Sequence, residues 1–169
     1  MTHSVSREFI EQSIHYIGLN TPRIEKCLAD LTEEEVWNQP NESTNSIGNL
    51  ILHLCGNITQ YILSSIGGSS DHRERDKEFS TKGGLSKGEL LQKLQHTISS
   101  AVSVIRNCDE DSLVKVRSVQ GFNLSGIGII IHVTEHYSYH TGQIALLTKM
   151  LRNKDLGFYS GMDLNVHNQ

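Results

Sequence analysis

Apolar side chains in this chain recur at i, i+3, i+4 and i+7 between its breakers, and only two prolines, Pro22 and Pro40, interrupt the pattern. That period commits most of the sequence to helices, because the residues it selects share one face only when the backbone winds at helical pitch. A first helix is predicted from about Ser6, presenting Phe9, Ile10, Ile14 and Ile17. Asn20-Thr21-Pro22 interrupts or restarts it, since proline suits a helix's first turn and not its interior. The pattern resumes with Ile24, Cys27, Leu28 and Leu31, and Thr32 with Glu35 has capping-box spacing ahead of Val36 and Trp37. A second long helix is predicted after Asn45-Ser46, with Ile47, Leu50, Ile51, Leu54, Ile58, Tyr61 and Ile62 on its stripe and Gly67-Gly68 at its end. Residues 69–84 are polar and charged and read as a solvated connection. Ser86 and Glu89 open a third helix that runs to about Asn107. Residues 108–123 lose the period, and the short alternation from Val114 to Val119 allows a loop or one hairpin arm. The fourth helix runs from about Ser125 to Arg152, before a tail expected to be poorly ordered at its end.

Four amphipathic helices with no strand ladder to cover them bury their stripes on one another most simply as a four-helix bundle. The predicted class is all-α, one domain over residues 1–169, with a long connection between helices two and three that can cross the bundle's end. A hydrophobic content of 37% is enough for one ordinary core. The formal charge of -4, with no basic stripe, excludes a nucleic-acid-binding surface of the usual kind. Ile129-Ile130-Ile131 is the longest aliphatic run, far short of the roughly 20 residues a bilayer crossing needs. The N-terminal residues contain no apolar export core, and a cytoplasmic location is expected. Cys27, Cys55 and Cys108 form no C-x-x-C pair and read as free, mostly buried thiols.

Nine histidines are the unusual feature, and three of them, His132, His136 and His140, fall within one stretch of the fourth helix. Residues four apart are neighbours on a helix, so either adjacent pair can hold one metal ion. The apolar stripe through Ile130, Val133, Tyr137, Ile144, Leu147 and Leu151 separates the pairs. His140 falls roughly 20–30° from its centre, His136 roughly 60–70° and His132 about 100°. The inward pair is therefore His136 and His140. A third ligand must come from another helix, with His15, His53 and His96 as candidates. His53 sits roughly 130° from the centre of its own stripe and by that measure resembles a surface histidine. Gly56 beside it permits close backbone approach, and Asn57 can orient a ligand or a bound water. Gln143 can bond the second nitrogen of a ligand histidine or a neighbour's backbone carbonyl, Tyr137 lies on the core stripe, and Glu135 points away from His136 as a solvated or interface residue. The charge run from Asp71 to Glu78 reads as solvated surface, or as a flap carrying Arg73 and Arg75 to an anionic substrate.

The string from Asn45 through His53-Leu54-Cys55-Gly56-Asn57, the loop over residues 71–79 and the string His136-Tyr137-Ser138-Tyr139-His140-Thr141-Gly142-Gln143-Ile144 together resemble the DinB-like superfamily, and more narrowly one of its bacterial branches of unassigned activity. The resemblance spans nearly the whole chain. It implies a four-helix bundle with a three-histidine site for a divalent metal, at His53, His136 and His140 here, and a homodimer. Thiol-dependent S-transferases and isomerases occur in that superfamily. Thr141 stands where many H-x-G-Q strings carry arginine, which removes that residue as a substrate contact.

Three imidazoles leave a divalent cation's charge uncompensated and a coordination position open, as in catalytic rather than closed sites. The expected function is a metal-dependent enzyme, zinc or nickel being favoured, that activates a low-molecular-weight thiol or water for S-transfer or hydrolysis. The alternative is a non-catalytic helical binding or stress-response module in which the metal is structural or absent. No Glu is followed by His three residues later and there is no His-Glu-x-x-His, so a di-iron carboxylate bundle and a zinc protease lack their ligands.

Overall fold

The structure, a computed structural model, describes residues 4–168; the N-terminal segment read for export begins outside them, as does the last residue of the tail. The chain is mostly helical with a small sheet. Its helices are α1 (Val5–Gly18), α2 (Asn20–Asp30), α3 (Glu33–Trp37), α4 (Ile47–Ile58), α5 (Arg75–Ser80), α6 (Lys87–Arg106), α7 (Glu110–Val114) and α8 (Gly126–Arg152). A π-helical segment, Thr59–Ile66, continues α4, and strands β1 (Val116–Val119) and β2 (Phe122–Ser125) form an antiparallel hairpin.

The local chemistry of the boundaries is mostly that of the sequence. Thr32–Glu35, Ser46–Asn49 and Ser86–Glu89 each close a reciprocal capping box, so the first free N–H groups of α3, α4 and α6 are satisfied within the chain. Pro22 sits in the first turn of α2, where its missing N–H costs no bond. The stretch over residues 108–123 resolves into α7 and most of the hairpin. Its two-residue turn places Gln120 at φ 51° and Gly121 at φ 83°, and two consecutive positive φ values suit the twist of a tight hairpin. Ser125 caps α8 through the N–H of Gly128.

Helix α4 packs on α5, α6 and α8, α2 packs on α8, and α1 packs on both α6 and α8. Ile17, Ile24, Ile51, Leu54, Ile62, Leu90, Leu94, Ile105, Ile130 and Ile144 are all buried between them in one contiguous core. Each such side chain contributes about 1.5–3 kcal/mol by leaving water. Cys27 and Cys55 are buried, Cys108 is half-buried, and all three are free thiols. Thr21 and the buried Tyr137 share a hydrogen bond of 2.8 Å that ties α2 to α8. The tail over residues 153–168 runs as turns, with Leu156 buried in the core and Tyr159 accepting from Arg23. Among the described residues no helix is long and apolar enough to cross a membrane.

Two expectations are corrected. The second long helix does not stay α-helical to its end, because the eight residues from Thr59 widen to π geometry. Residues 69–84 are not simply a solvated connection. Six of them form α5, which lies against α4 and buries Glu78. The physical reason is that one carboxylate in the charge run is neutralised by an arginine of the same run, so it can leave water. A sequence-wide charge count does not show that pairing.

Candidate functional site

Helix α4 is apolar nearly all round, and ten of its twelve residues are buried. A helix of that kind has no solvent face, so distance from an apolar stripe ceases to mean exposure. This overturns the surface reading of His53, which is only 5% exposed. Helix α8 supplies His136, half-buried, and His140, buried, on the face turned to α4. The packing of α4 on α8 thus brings His53, His136 and His140 together, and one ring nitrogen from each lies within 4.8 Å of the others, a group that could hold a metal ion.

The outer nitrogens of two of these rings are held by oxygens. His53 Nδ1 lies 2.9 Å from Glu78 Oε2, and His140 Nδ1 lies 2.6 Å from Gln143 Oε1. A carboxylate and an amide oxygen can only accept, so both Nδ1 atoms donate and both Nε2 atoms are left for the interior of the site. His53 Nε2 in turn stands 2.9 Å from His136 Nε2. Two nitrogens at that distance need a proton between them or an electrophile facing both. A cation can take the proton's place.

Glu78 is the residue the sequence reading missed. Arg73 donates from Nε to Glu78 Oε1 at 2.7 Å and from Nη2 to Oε2 at 2.9 Å, a bidentate pair, while Arg73 Nη1 donates to Gln60 Oε1 at 2.9 Å. Burial raises the Glu78 carboxyl's pKa, but the hydrogen bonds from Arg73 and His53 outweigh it and hold the group below its ordinary value. The peptide of α5 is pinned at the same place, since Asn49 Nδ2 donates to the carbonyls of Glu78 at 2.9 Å and Thr81 at 2.7 Å. Gly56 leaves the room: a Cβ there would stand 1.9 Å from Glu78 Oε1 and 3.1 Å from Arg73 Nε. Phe79 covers the outer side of His53, with ring centroids 4.8 Å apart. The signal available in the sequence was a lone Glu-Phe pair at the end of a mixed charge run, with a glycine three residues beyond the histidine.

Arg73 is therefore a buried partner of Glu78 rather than an arm reaching to open space, and Arg75 lies exposed with its guanidinium 4.9 Å over the Phe79 ring. Asn57 makes no side-chain hydrogen bond to the three clustered histidines. Its Nδ2 lies 3.3 Å from His132 Nε2, while its Oδ1 is buried with no hydrogen-bond partner. His132 is half-buried, not simply outward, because the Tyr61 ring from the π-helical segment stacks on it at 4.3 Å. Thr141 turns its hydroxyl back to the carbonyl of Tyr137. His15 and His96 lie on exposed faces away from the cluster.

Electrostatics favour unprotonated imidazoles on α8. Burial first, then the charges His140, His53 and His132 would carry, push His136 down to about 3. Burial also lowers His140, against the opposing pull of its bond to Gln143. At neutral pH both rings present lone pairs, the form a metal ion requires.

The fold is that of the DinB-like proteins. A conserved protein from Enterococcus faecalis superposes with a TM-score of 0.75 at 15% identity, covering 90% of this chain and 100% of that one. A DinB-like protein from Bacillus cereus gives 0.67 at 17% identity, covering 84% and 92%, and a DinB-like protein from Bacillus subtilis gives 0.66 at 14%, covering 88% and 97%. No curated protein matches the sequence. With residues 4–160 matching its model, the chain belongs to the family described as Protein of unknown function (DUF1572).

Proposed function

We propose that His53, His136 and His140 hold one divalent cation, zinc or nickel, and that the centre activates a low-molecular-weight thiol, or water, for S-transfer to or hydrolysis of an electrophilic substrate. The observation that carries this reading is the 2.9 Å approach of His53 Nε2 to His136 Nε2, with the outer nitrogens of His53 and His140 each tied to an oxygen. A donated second N–H is the usual support of a metal-binding histidine, because it sets the tautomer and the ring orientation. When bound, the cation supplies Lewis acidity that brings ionisation of a thiol or water toward neutral pH.

The chain's own residues decide what such a centre accepts. Both oxygens of Glu78 are engaged by Arg73 and His53, so this carboxylate neutralises the arginine instead of joining the donor set. Three imidazoles without a carboxylate leave net positive charge for an anionic partner such as a thiolate. Asn57 Oδ1 is buried without a hydrogen-bond partner, and Asn57 Nδ2 lies 3.3 Å from His132 Nε2.

We read α1 with α2, α4 with its π-helical continuation, α6, and α8 as the four arms of a single bundle-type domain. We place the protein in the cytoplasm as a homodimer. Ile131, Tyr139, Leu146 and Met150 support the dimer, since they stand exposed along one outward side of α8.

The test begins with elemental analysis of untagged protein, where wild type is expected to retain about one equivalent of zinc or nickel and His53→Ala and His140→Ala none. Metal-loaded protein is then incubated with cellular thiols and electrophilic probes. Turnover above the His140→Ala control supports catalysis. Bound metal without turnover returns the centre to a structural tie between α4 and α8.

A further inference from the structure

Arg73 and Glu78 also line a cleft that the histidine cluster does not enter. It measures about 530 Å³ and lies between α4, α6 and the segment that carries α5. That volume is within the range of about 300–1,000 Å³ seen for small-molecule sites. Leu52, Cys55 and Leu85 make its apolar side, and Thr59 and Thr97 add hydroxyls.

The charges around the cleft cancel except for one. Arg73 pairs with Glu78, and Lys77 pairs with Glu74. Lys93 of α6 makes no ion pair among the described residues. It lines the same cleft as Cys55, whose thiol burial pushes up to about 11 against the opposing pull of the Thr97 hydroxyl and of the Lys93 charge. Cys55 is accordingly a protonated, unreactive part of the apolar wall. An apolar wall, two hydroxyls and one uncompensated ammonium complement a molecule with a compact hydrocarbon body and a single negative end.

We propose that this cleft is a binding site for a small amphipathic monoanion of the medium-chain carboxylate class, its carboxylate on Lys93 and its chain along Leu52, Cys55 and Leu85. The site is separate from the histidine cluster and stands whether or not that cluster holds a metal.

Octanoate is the probe, and Trp37 is the reporter. It is the chain's one tryptophan, and its Nε1 donates to the carbonyl of Leu85 at 2.9 Å. Titration of the full chain, metal-free and metal-loaded, is expected to give a saturable change in Trp37 fluorescence, with amide shifts concentrated at residues 52–59 and 85–97. Octan-1-ol and acetate, each lacking one half of the complement, are expected to bind more weakly than octanoate. Lys93→Gln is expected to weaken octanoate by about 1.4-fold to fivefold, the range for an exposed charge pair, and Lys93→Glu by more. Both replace an exposed side chain and leave the core intact. His140→Ala is expected to leave octanoate binding unchanged. The proposal is overturned by a response that does not saturate, by octan-1-ol binding as well as octanoate, by Lys93→Gln binding as wild type, or by loss of binding in His140→Ala.

Discussion

Replacing Glu78 with glutamine tests how the site is held. The carboxylate has two oxygens and both are used, Oε1 by Arg73 and Oε2 by His53 Nδ1 and Arg73 Nη2. Glutamine keeps the shape but offers one acceptor, so its amide N–H group must face either the guanidinium or the imidazole N–H. Two consequences separate. Arg73, whose side chain is only 4% exposed, loses its countercharge in the interior, and breaking a buried pair in this way costs about 3–5 kcal/mol. For a chain of this size that lowers Tm by about 6–20 °C. Losing the carboxylate behind a ligand histidine weakens metal binding by about 10–100-fold, or roughly 1.4–2.7 kcal/mol. Urea denaturation of metal-free protein measures the first effect, and chelator competition on folded protein well below its Tm measures the second. The pH dependence supplies a third reading. Glu78 has a folded pKa below its ordinary 4.5, so its contribution is present above that value and is lost as pH falls through the lowered folded value. Glu78→Gln should lose that part of the acid slope. Wild-type metal affinity in a folded Glu78→Gln protein would refute the idea that this carboxylate supports the centre, and unchanged stability would refute the burial argument.

The remaining predictions concern the same frame. In metal-free protein, His136 has a folded value of about 3 against an ordinary 6.5, so stability is fully present above 6.5 and declines as pH falls toward 3; urea midpoints should show that slope, reduced in His136→Ala, and a midpoint rising on acidification would contradict it. Gly56→Ala puts a Cβ against Glu78 Oε1 and should cost about 1–3 kcal/mol by thermal melting, with weaker metal retention; a variant as stable as wild type would show that the clamp can shift freely. Ser46→Ala opens the capping box at the start of α4 and should cost about 0.5–2 kcal/mol in denaturant titration. Leu146→Glu on the outer side of α8 should shift light scattering from dimer to monomer mass while leaving the metal stoichiometry intact.

Much of this molecule is written locally. The helical period, the capping boxes at Thr32 and Ser86 and the inward pair His136 and His140 all follow from interactions within one or two turns, which is why a linear reading reaches them. The resemblance, and not the wheel, singled out His53, because the wheel assumes a helix with one wet side and α4 has none. Glu78 and the pairing of Arg73 were out of reach for a different reason. Six charges in a row look solvated until one learns that a glycine on another helix leaves space for the carboxylate to reach a histidine 25 positions earlier. His132 likewise changes character only through Tyr61, which the π-helical segment brings over it. The amino-acid order alone therefore determined the long helices, most of their starts and two of the three clustered imidazoles. The packing of α4 between α5 and α8 decided the third imidazole, its carboxylate support and the burial of the whole group, because those depend on groups far apart in the chain sharing one small volume from which water is excluded.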